Sequence, residues 1–303
     1  MTELKRTRDL MAAGMSRFEI AQAAREGTLQ RVRRGVYASP SERTAEADHL
    51  LRVQATMPLL HPESVLSHVS AAVVHGLPVP WGELGTVHVT RPGNAHGRRD
   101  SGLFFHAGDL DGDEWVEVGD LRVTGLARTV ADLARTMPYE WGVIVADNAL
   151  HRGVLQRDAL LEQIRRRPRL RGRSRARGVA LFADELSESP CESLSRVQFD
   201  RLGIPKPVLQ FEIRHGDRLI ARTDFAWPDL GVVGEADGKA KYGELLKPGQ
   251  TAADAVMAEK QREENIRAQG YRTVRWGWEE ASHPDQLERR VRSALRPIVR
   301  RSA

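Results

Sequence analysis

At 303 residues the chain has room for two or three domains, each with its own hydrophobic core. It contains no run of roughly 20 apolar residues that would span a bilayer, and its first residues lack the apolar core of a signal peptide, so we expect a cytoplasmic protein without a membrane segment. Cys191 is the only cysteine, which excludes an internal disulfide and any zinc site with two or more cysteines. The net charge is only +5, but arginines cluster between Arg165 and Arg177 and again near the C-terminus, which favours a polyanionic partner such as DNA.

The first 40 residues combine a helical pattern with a basic hairpin. Ser16 and Glu19 have the spacing of a capping box, which predicts a helix start. The run after this helix alternates apolar and basic residues around a turn-forming Gly35. A short helix followed by a basic hairpin is the plan of a winged helix, so a DNA-binding module is predicted over residues 1–40; the alternative is a segment that only packs on the next domain. The candidate DNA contacts of this module are Arg31, Arg33 and Arg34.

Residues 41–164 mix helical and strand patterns. Apolar spacing predicts helices over 45–59 and 64–77, strands over 86–90 and 103–106, and a further helix from Leu126. His68 and His75 would share one helical face, where two histidines without a third ligand are expected to be buried and hydrogen-bonded.

Three strings resemble a known family. The run Gly-Thr-Leu-Gln-Arg-Val-Arg-Arg-Gly-Val-Tyr-Ala over 27–38 resembles the N-terminal domain of AbiEi antitoxins. The strings Ser-His-x-Ser-Ala-Ala over 67–72 and Arg-Thr-Val-x-Asp-Leu over 128–133 resemble the body of the same proteins. This resemblance implies an α+β domain over 41–164, DNA as a partner and a cognate toxin protein as a second partner.

The arginine-rich run predicts a linker over 165–185. Repelling like charges, Pro168 and two glycines oppose a packed core here. The alternatives for its arginines are a solvated surface or contact with nucleic acid. The candidate DNA contacts are Arg169, Arg171, Arg173 and Arg175.

The remaining residues have the sharpest pattern. Ser189, Pro190 and Glu192 form a helix start, with serine as the N-cap and glutamate third in the helix. Apolar periodicity and turn residues then predict, in order, strands over 208–214, 218–227 and 231–237, a helix over 252–268, a strand over 271–276 and a helix from Pro284.

Acidic residues gather at one end of the predicted sheet. Asp224 stands late in the second strand, and Glu235 and Asp237 end the third strand on one face. Such carboxylates repel one another unless a cation or a proton joins them, and oxygen ligands of this kind suit Mg²⁺ or Mn²⁺. Glu192 is either a further ligand or simply part of the helix cap.

These acids carry a second resemblance. Asp224 followed by Glu235-x-Asp237-Gly-x-x-Lys241-Tyr resembles the endonuclease-like domains related to very-short-patch repair enzymes, within the PD-(D/E)XK superfamily. The resemblance implies that Asp224 and Glu235 bind metal, that Asp237 assists, and that a lysine orients or activates the attacking water. Relatives of this type have histidine where Lys241 stands, and Lys239 is the alternative lysine. Lys260 and Arg262 on the following helix are candidate DNA contacts.

Together these patterns predict an α/β protein of several domains: a winged helix over 1–40, an α+β domain over 41–164, a linker over 165–185, and over 186–303 a PD-(D/E)XK fold with an αβββαβ core and a mixed sheet flanked by helices. The leading interpretation is a metal-dependent DNA endonuclease that acts in defence or DNA repair. The alternative is a non-catalytic DNA-binding antitoxin that regulates a toxin–antitoxin system, with the nuclease fold as a scaffold.

Overall fold

The chain folds as two compact units. The computed structural model describes residues 3–91, 93, 97–100, 102–237 and 252–296. One unit contains Met1–Met137 and Leu155–Gly178, and the other contains Pro138–Val154 and Val179–Ala303. Within the described ranges, no helix is long and apolar enough to cross a bilayer.

A small three-stranded sheet and two helices form the N-terminal module, residues 3–40. Its elements are β1 (Leu4–Arg6), α1 (Thr7–Ala12), α2 (Arg17–Arg25), β2 (Gln30–Arg33) and β3 (Val36–Ala38). The strands are antiparallel in the order β1-β3-β2. The predicted capping box starts α2, because the Glu19 N–H donates to Ser16 Oγ (3.2 Å) and the Ser16 N–H donates to Glu19 Oε2 (2.7 Å). Val32 and Val36 of the hairpin share a core cluster with Leu51 of the next helix, so the module packs against that helix.

A six-stranded mixed sheet fills most of the first unit. The elements are α3 (Ala45–Thr56), β4 (Val65–Leu66), α4 (His68–Val74), β5 (Val87–Thr90), β6 (Arg98–Asp100), β7 (Leu103–His106), β8 (Trp115–Val118), β9 (Leu121–Thr124) and α5 (Leu126–Thr136). The strand order is β6-β7-β5-β4-β9-β8. The predicted helix over 64–77 is wrong at its start, because Val65 and Leu66 pair with β5 and the helix begins only at His68.

Three helices come next in the chain: α6 (Tyr139–His151), α7 (Arg157–Arg166) and α8 (Arg173–Phe182). Two of them cover much of the predicted linker, which is therefore helical where like charges were expected to oppose packing. Buried apolar residues on these helices, among them Ile164, Ala176 and Val179, anchor the segment. Acidic partners also offset the repulsion between the arginines: Arg166, for example, pairs with Asp113 (2.8 Å).

From Pro190 onward the second unit has the predicted element order, with one additional short helix, Trp278–Ser282, that was not predicted. The elements are α9 (Pro190–Arg201), β10 (Val208–His215), β11 (Arg218–Trp227), β12 (Val232–Asp237), α10 (Ala252–Ala268), β13 (Arg272–Gly277), α11 (Trp278–Ser282) and α12 (Pro284–Leu295). The sheet order is β10-β11-β12-β13, with the first three strands antiparallel and β13 parallel to β12.

Both faces of this sheet are covered. On one face the rings of Phe199, Phe225 and Trp276 pack edge-on and stacked, with centroids 5.4 to 5.6 Å apart. A Cβ at Gly234 would come within 2.6 Å of the Trp276 ring, so only glycine allows this packing. On the other face Ile266 of α10 packs on the sheet. The acids of the predicted metal site therefore stand on a well-packed support.

Candidate functional site

The N-terminal module carries arginines that are free to meet a ligand. Arg17 and Arg25 on α2 and Arg31 and Arg34 on the β2–β3 hairpin are exposed, and none forms a salt bridge with another described residue. Residues 3–40 hold eight Lys/Arg and four Asp/Glu, so the module has a net positive charge. This surface is suited to phosphate contact.

Arg33 differs from its neighbours. It is half-buried, and its Nη1 donates to the carbonyl oxygen of Ala55 at the end of α3 (3.3 Å). Of the three arginines predicted to bind DNA in the hairpin, Arg33 is thus the one committed to packing.

The arginines of the segment that was predicted as a linker fall into two groups. Arg173 donates to the Ile164 carbonyl (3.4 Å) and Arg175 to the Met137 carbonyl (2.9 Å), so both tie α8 to its surroundings. Arg169 and Arg171 are exposed and make no salt bridge within the described part of the chain. Only these two of the four candidates present an uncommitted guanidinium.

Arg128 is the centre of a buried ion-pair network in the same unit. It pairs with Glu114 (3.1 Å) and Asp132 (2.9 Å), and all three side chains are at most 3% exposed. Burial would raise the pKa of Glu114, but hydrogen bonds from Arg167 and from the Asp111 backbone together with the charge of Arg128 hold it at about 2. Arg128 and Asp132 stand on α5, and the pair with Glu114 connects this helix to the residue just before β8.

In the second unit, Asp224 stands where two strands separate. The β11–β12 ladder includes Phe225 paired with Gly234, and beyond this pair the Ala236 N–H donates to the Asp224 carboxylate (Oδ2, 2.8 Å) instead of to a strand carbonyl. Burial, followed by the negative charge of Glu192, raises the pKa of Asp224 to about 7. Asp224 is thus a carboxylate whose ionisation is opposed by its surroundings.

Glu192 lies in the first turn of α9 and is buried. Ser189 caps the helix as predicted, since the Glu192 N–H donates to Ser189 Oγ (3.2 Å). The Glu192 carboxylate also accepts from the Glu188 N–H (3.0 Å) and from Gln210 Nε2 (2.9 Å). Burial raises the pKa of Glu192. The side chain therefore does more than close the helix cap.

Glu235 is held by two arginines. Arg262 Nη2 bonds Glu235 Oε1, and Arg275 Nε donates to Glu235 Oε2 (2.8 Å). Both carboxylate oxygens are thus occupied, and Arg262 is ion-paired rather than free for a phosphate. Glu235 and Arg275 are direct neighbours on the parallel strands β12 and β13, a cross-strand pairing that was not predicted from the sequence.

Asp237 ends β12 and is exposed. Desolvation at the strand end raises its pKa, and the charge of Arg275 opposes the shift. Lys260 on α10 is exposed and forms no salt bridge in the described ranges. Lys239 and Lys241, the two candidate catalytic lysines, lie outside the described residues.

The acids match the chemistry of a hard cation, but their arrangement is not a ready metal site. Glu192, Asp224 and Asp237 supply carboxylate oxygens of the type that Mg²⁺ and Mn²⁺ prefer, whereas Glu235 is neutralised by arginine. Among the described residues, no group of three or more His, Cys, Asp or Glu side chains converges on a point where an ion would sit.

The first unit also contains a histidine cluster that was not predicted from the sequence. His68 and His106 stack with ring centroids 3.4 Å apart, and His88 Nδ1 lies 2.9 Å from His106 Nε2. His75, in contrast, bonds the Thr124 carbonyl (2.8 Å). His68 has a φ of +50°, an uncommon conformation for a residue with a side chain. The alternation of β5, which places His88 and Thr90 on one face beside His106, was the signal available in the sequence.

Comparison with known proteins finds similarity to a family, to two relatives and to a solved structure. A family described as "Transcriptional regulator, AbiEi antitoxin" matches residues 6–40. The uncharacterized proteins MT2308 and Rv2248, from two strains of Mycobacterium tuberculosis, are each 27% identical over 263 residues, covering 82% of this chain and 93% of theirs. The crystal structure of the RV2827C protein from Mycobacterium tuberculosis aligns with a TM-score of 0.38 and 16% identity, over 63% of this chain and 74% of that one. The match to the AbiEi antitoxin family thus covers the N-terminal module, which carries the exposed residues Arg17, Arg25, Arg31 and Arg34.

Proposed function

We propose that this protein is a DNA-binding transcriptional regulator of the AbiEi antitoxin type, which contacts DNA through its N-terminal module. The observation that carries the proposal is the coincidence of two features in one segment. The residues that match the antitoxin family, 6–40, include Arg17, Arg25, Arg31 and Arg34, which are exposed and have no acidic partner in the part of the chain that the structure describes.

The elements of the module suit the two kinds of contact that DNA recognition needs. Helix α2 follows α1 after a short turn, and the β2–β3 hairpin follows α2, which is the order of a winged helix. Phe18 is 69% exposed on α2, and Ala21 and Gln22 are exposed beside it. These side chains would meet base edges in the major groove while the arginines meet phosphates. As an antitoxin, the protein would also bind a cognate toxin protein.

The test is binding of the full chain to a duplex from upstream of its own gene. We expect affinity at least about a thousandfold above that for a scrambled duplex of equal composition, because operator binding exceeds non-specific binding by such factors. Affinity should also fall steeply between about 50 and 200 mM salt. Equal affinity for both duplexes would exclude a regulator of this operator.

The second unit favours a second candidate function, a metal-dependent DNA endonuclease. The observation that supports it is Asp224, a carboxylate at the separation of two strands whose pKa is raised by burial and by the charges of neighbouring acids. The element order α9-β10-β11-β12-α10-β13 is also the one expected of a PD-(D/E)XK fold. Mg²⁺ or Mn²⁺ would be held by Asp224 with Glu192 and Asp237, and would supply stabilisation of negative charge at the scissile phosphate.

The experiment for this candidate uses plasmid, single-stranded and mismatched DNA, each with and without Mg²⁺ or Mn²⁺. Cleavage that needs the metal and disappears in Asp224→Asn would support the endonuclease. Operator binding together with intact DNA under every condition would leave only the regulator.

A further inference from the structure

Helix α2 of the N-terminal module leaves one face uncovered. On the packed side, Ile20 is 2% exposed and Ala23 and Ala24 are half-buried. The exposed residues of the other side lie within an arc of about 140° at 3.6 residues per turn. We call them the open face of α2; they are Arg17, Phe18, Ala21, Gln22 and Arg25.

Phe18 is the largest apolar group on the open face. It is 69% exposed, whereas every other phenylalanine of the chain is buried or half-buried. A single exposed ring is ordinary on a protein surface, so the place of this ring matters more than its exposure. Phe18 stands in the first turn of the second helix of a helix-turn-helix plan, and in that plan the first turn supplies side chains that contact base edges.

The polar side chains of this first turn are engaged in the helix cap. The Glu19 N–H donates to Ser16 Oγ (3.2 Å), and the Ser16 N–H donates to Glu19 Oε2 (2.7 Å). This capping box fixes the backbone of the turn. Arg17 and Phe18 are left as the side chains that can meet a ligand.

The next turn keeps the centre of the open face apolar. Ala21, three positions after Phe18, contributes only a methyl group, and Gln22 Nε2 donates to Glu26 Oε1 (2.7 Å), which uses one of its amide donors within α2. Base edges in the major groove present one apolar group, the C5-methyl of thymine. An apolar centre on a helix in this groove is therefore complementary to thymine.

The charges around Phe18 favour nucleic acid over an apolar protein surface as the partner. Arg17 and Arg25 lie on the open face, and Arg31 and Arg34 follow on the β2–β3 hairpin; none forms a salt bridge with another described residue. An apolar protein surface would desolvate these guanidinium groups without compensation. The phosphates that border a groove would pair with them.

We propose that Phe18, with Ala21 beside it, reads the C5-methyl group of a thymine in the major groove, and that the operator carries a thymine where the first turn of α2 meets it. The inference rests on the proposed regulator function and adds a base to its specificity. The arginines hold the module on the phosphates, and the apolar pair selects the sequence.

The test replaces thymine by deoxyuridine, one position at a time, in the duplex from upstream of the gene. Deoxyuridine removes the methyl group and keeps the base pair with all its hydrogen-bonding groups. For the full chain we expect a loss of affinity of about fourfold at one or two positions, which is the gain from burying one methyl group. Phe18→Ala should bind the unmodified duplex about tenfold more weakly, an effect of the size of one wrong base pair. It should also bind the thymine and deoxyuridine duplexes equally, whereas Phe18→Leu, which keeps an apolar side chain, should retain part of the difference.

Trp81→Ala is the matched control, because Trp81 is an exposed aromatic residue (82%) outside the N-terminal module. It should change neither the affinity nor the effect of deoxyuridine, and the melting curves of both alanine variants should match that of wild type, since the two side chains are exposed.

Specific binding of the upstream duplex without an effect of deoxyuridine at any position would overturn the reading of thymine and leave the regulator in place. A deoxyuridine effect of full size in Phe18→Ala would do the same. Full DNA affinity of Phe18→Ala would assign the ring to a contact with another protein. Equal affinity of wild type for the upstream and scrambled duplexes would remove the regulator and this inference with it.

Discussion

The Asp224 carboxylate accepts the N–H of Ala236 at 2.8 Å, although Asp224 stands on β11 and Ala236 on β12. A side chain thus completes a ladder that the two backbones leave open. The bond holds Asp224 in place among acids that disfavour its charge. The pKa of Asp224, about 7, lies above the usual value of 3.8.

This raised pKa predicts how stability changes with pH. A carboxyl with a higher pKa in the folded state binds its proton more tightly there, so its contribution is fully present below about pH 4 and is lost as the pH rises through about 7. Asp224→Asn keeps an acceptor for the Ala236 N–H and removes the charge. We expect it to stabilise the protein at pH 8 by on the order of 1–3 kcal/mol and to have little effect at pH 4. Urea unfolding at both pH values measures this difference, and an equal effect at pH 4 and pH 8 would contradict it.

Substitutions of the N-terminal arginines are expected to affect either DNA binding or the stability of the fold, depending on which arginine is changed. Arg31→Ala with Arg34→Ala should weaken DNA binding and lower the salt slope by about 2, one unit for each lost phosphate contact, with the unfolding free energy changed by no more than about 0.5 kcal/mol. Arg33→Ala is the matched comparison, because it removes the bond to the Ala55 carbonyl and should lower the Tm instead. Fluorescence titration over several salt concentrations, with a melting curve for each variant, separates the two effects. An unchanged slope in the double variant would assign the hairpin to packing.

The buried ion pairs of Arg128 predict that removal of this side chain strongly destabilises the first unit. Arg128→Met leaves Glu114 and Asp132 buried with less compensation, which should cost about 3–5 kcal/mol. Arg165→Gln breaks an exposed pair with Glu162 and should cost less than about 1 kcal/mol. Denaturant unfolding of both variants compares them, and similar losses would mean that the buried network contributes little.

The second unit was largely predictable because its sequence signals are local. Ser189 and Pro190 start a helix, Gly216 and Asp217 form a hairpin turn, and Gly270 separates the last long helix from its strand. These features depend on residues that are close in the chain. The strand limits therefore agree with the structure to within a residue or two.

The sequence predictions were wrong where contacts between residues far apart in the chain determine the local structure. The segment predicted as a linker is partly helical, and the repulsion between its arginines is offset by acids such as Asp113, about 50 positions away in the chain. Val65 and Leu66 form a short apolar run that suits either a helix or a strand, and pairing with β5 decides for the strand. The ion pairing of Glu235 could not be predicted either, because its partners Arg262 and Arg275 are brought to it by the packing of α10 and β13.

The histidine cluster predicts that the stability of the first unit falls as the pH is lowered, which is opposite to the contribution of Asp224. Burial lowers the pKa of His88 to about 4 and lowers those of His68 and His106 as well, so all three are neutral in the folded protein. Unfolded histidine takes up a proton near pH 6.5. A base with a depressed pKa in the folded state gives stability that is present above pH 6.5 and is lost as the pH falls towards 4.

His106→Gln should therefore flatten the loss of stability between pH 7.5 and pH 5, by up to about 1.4 kcal/mol for each unit of pKa shift that the variant removes. At pH 7.5 the same variant should be less stable than wild type, since it loses the stacking on His68. His61→Gln is the control, because the His61 side chain is 52% exposed and, among the described residues, forms an ion pair with Glu63 alone. Urea unfolding at three pH values gives both quantities. If the His106 and His61 variants lost stability with falling pH in parallel with wild type, protonation of the cluster would not contribute to the pH dependence of stability. The buried His88 Nε2, which has no hydrogen-bond partner among the described residues, would then need another explanation.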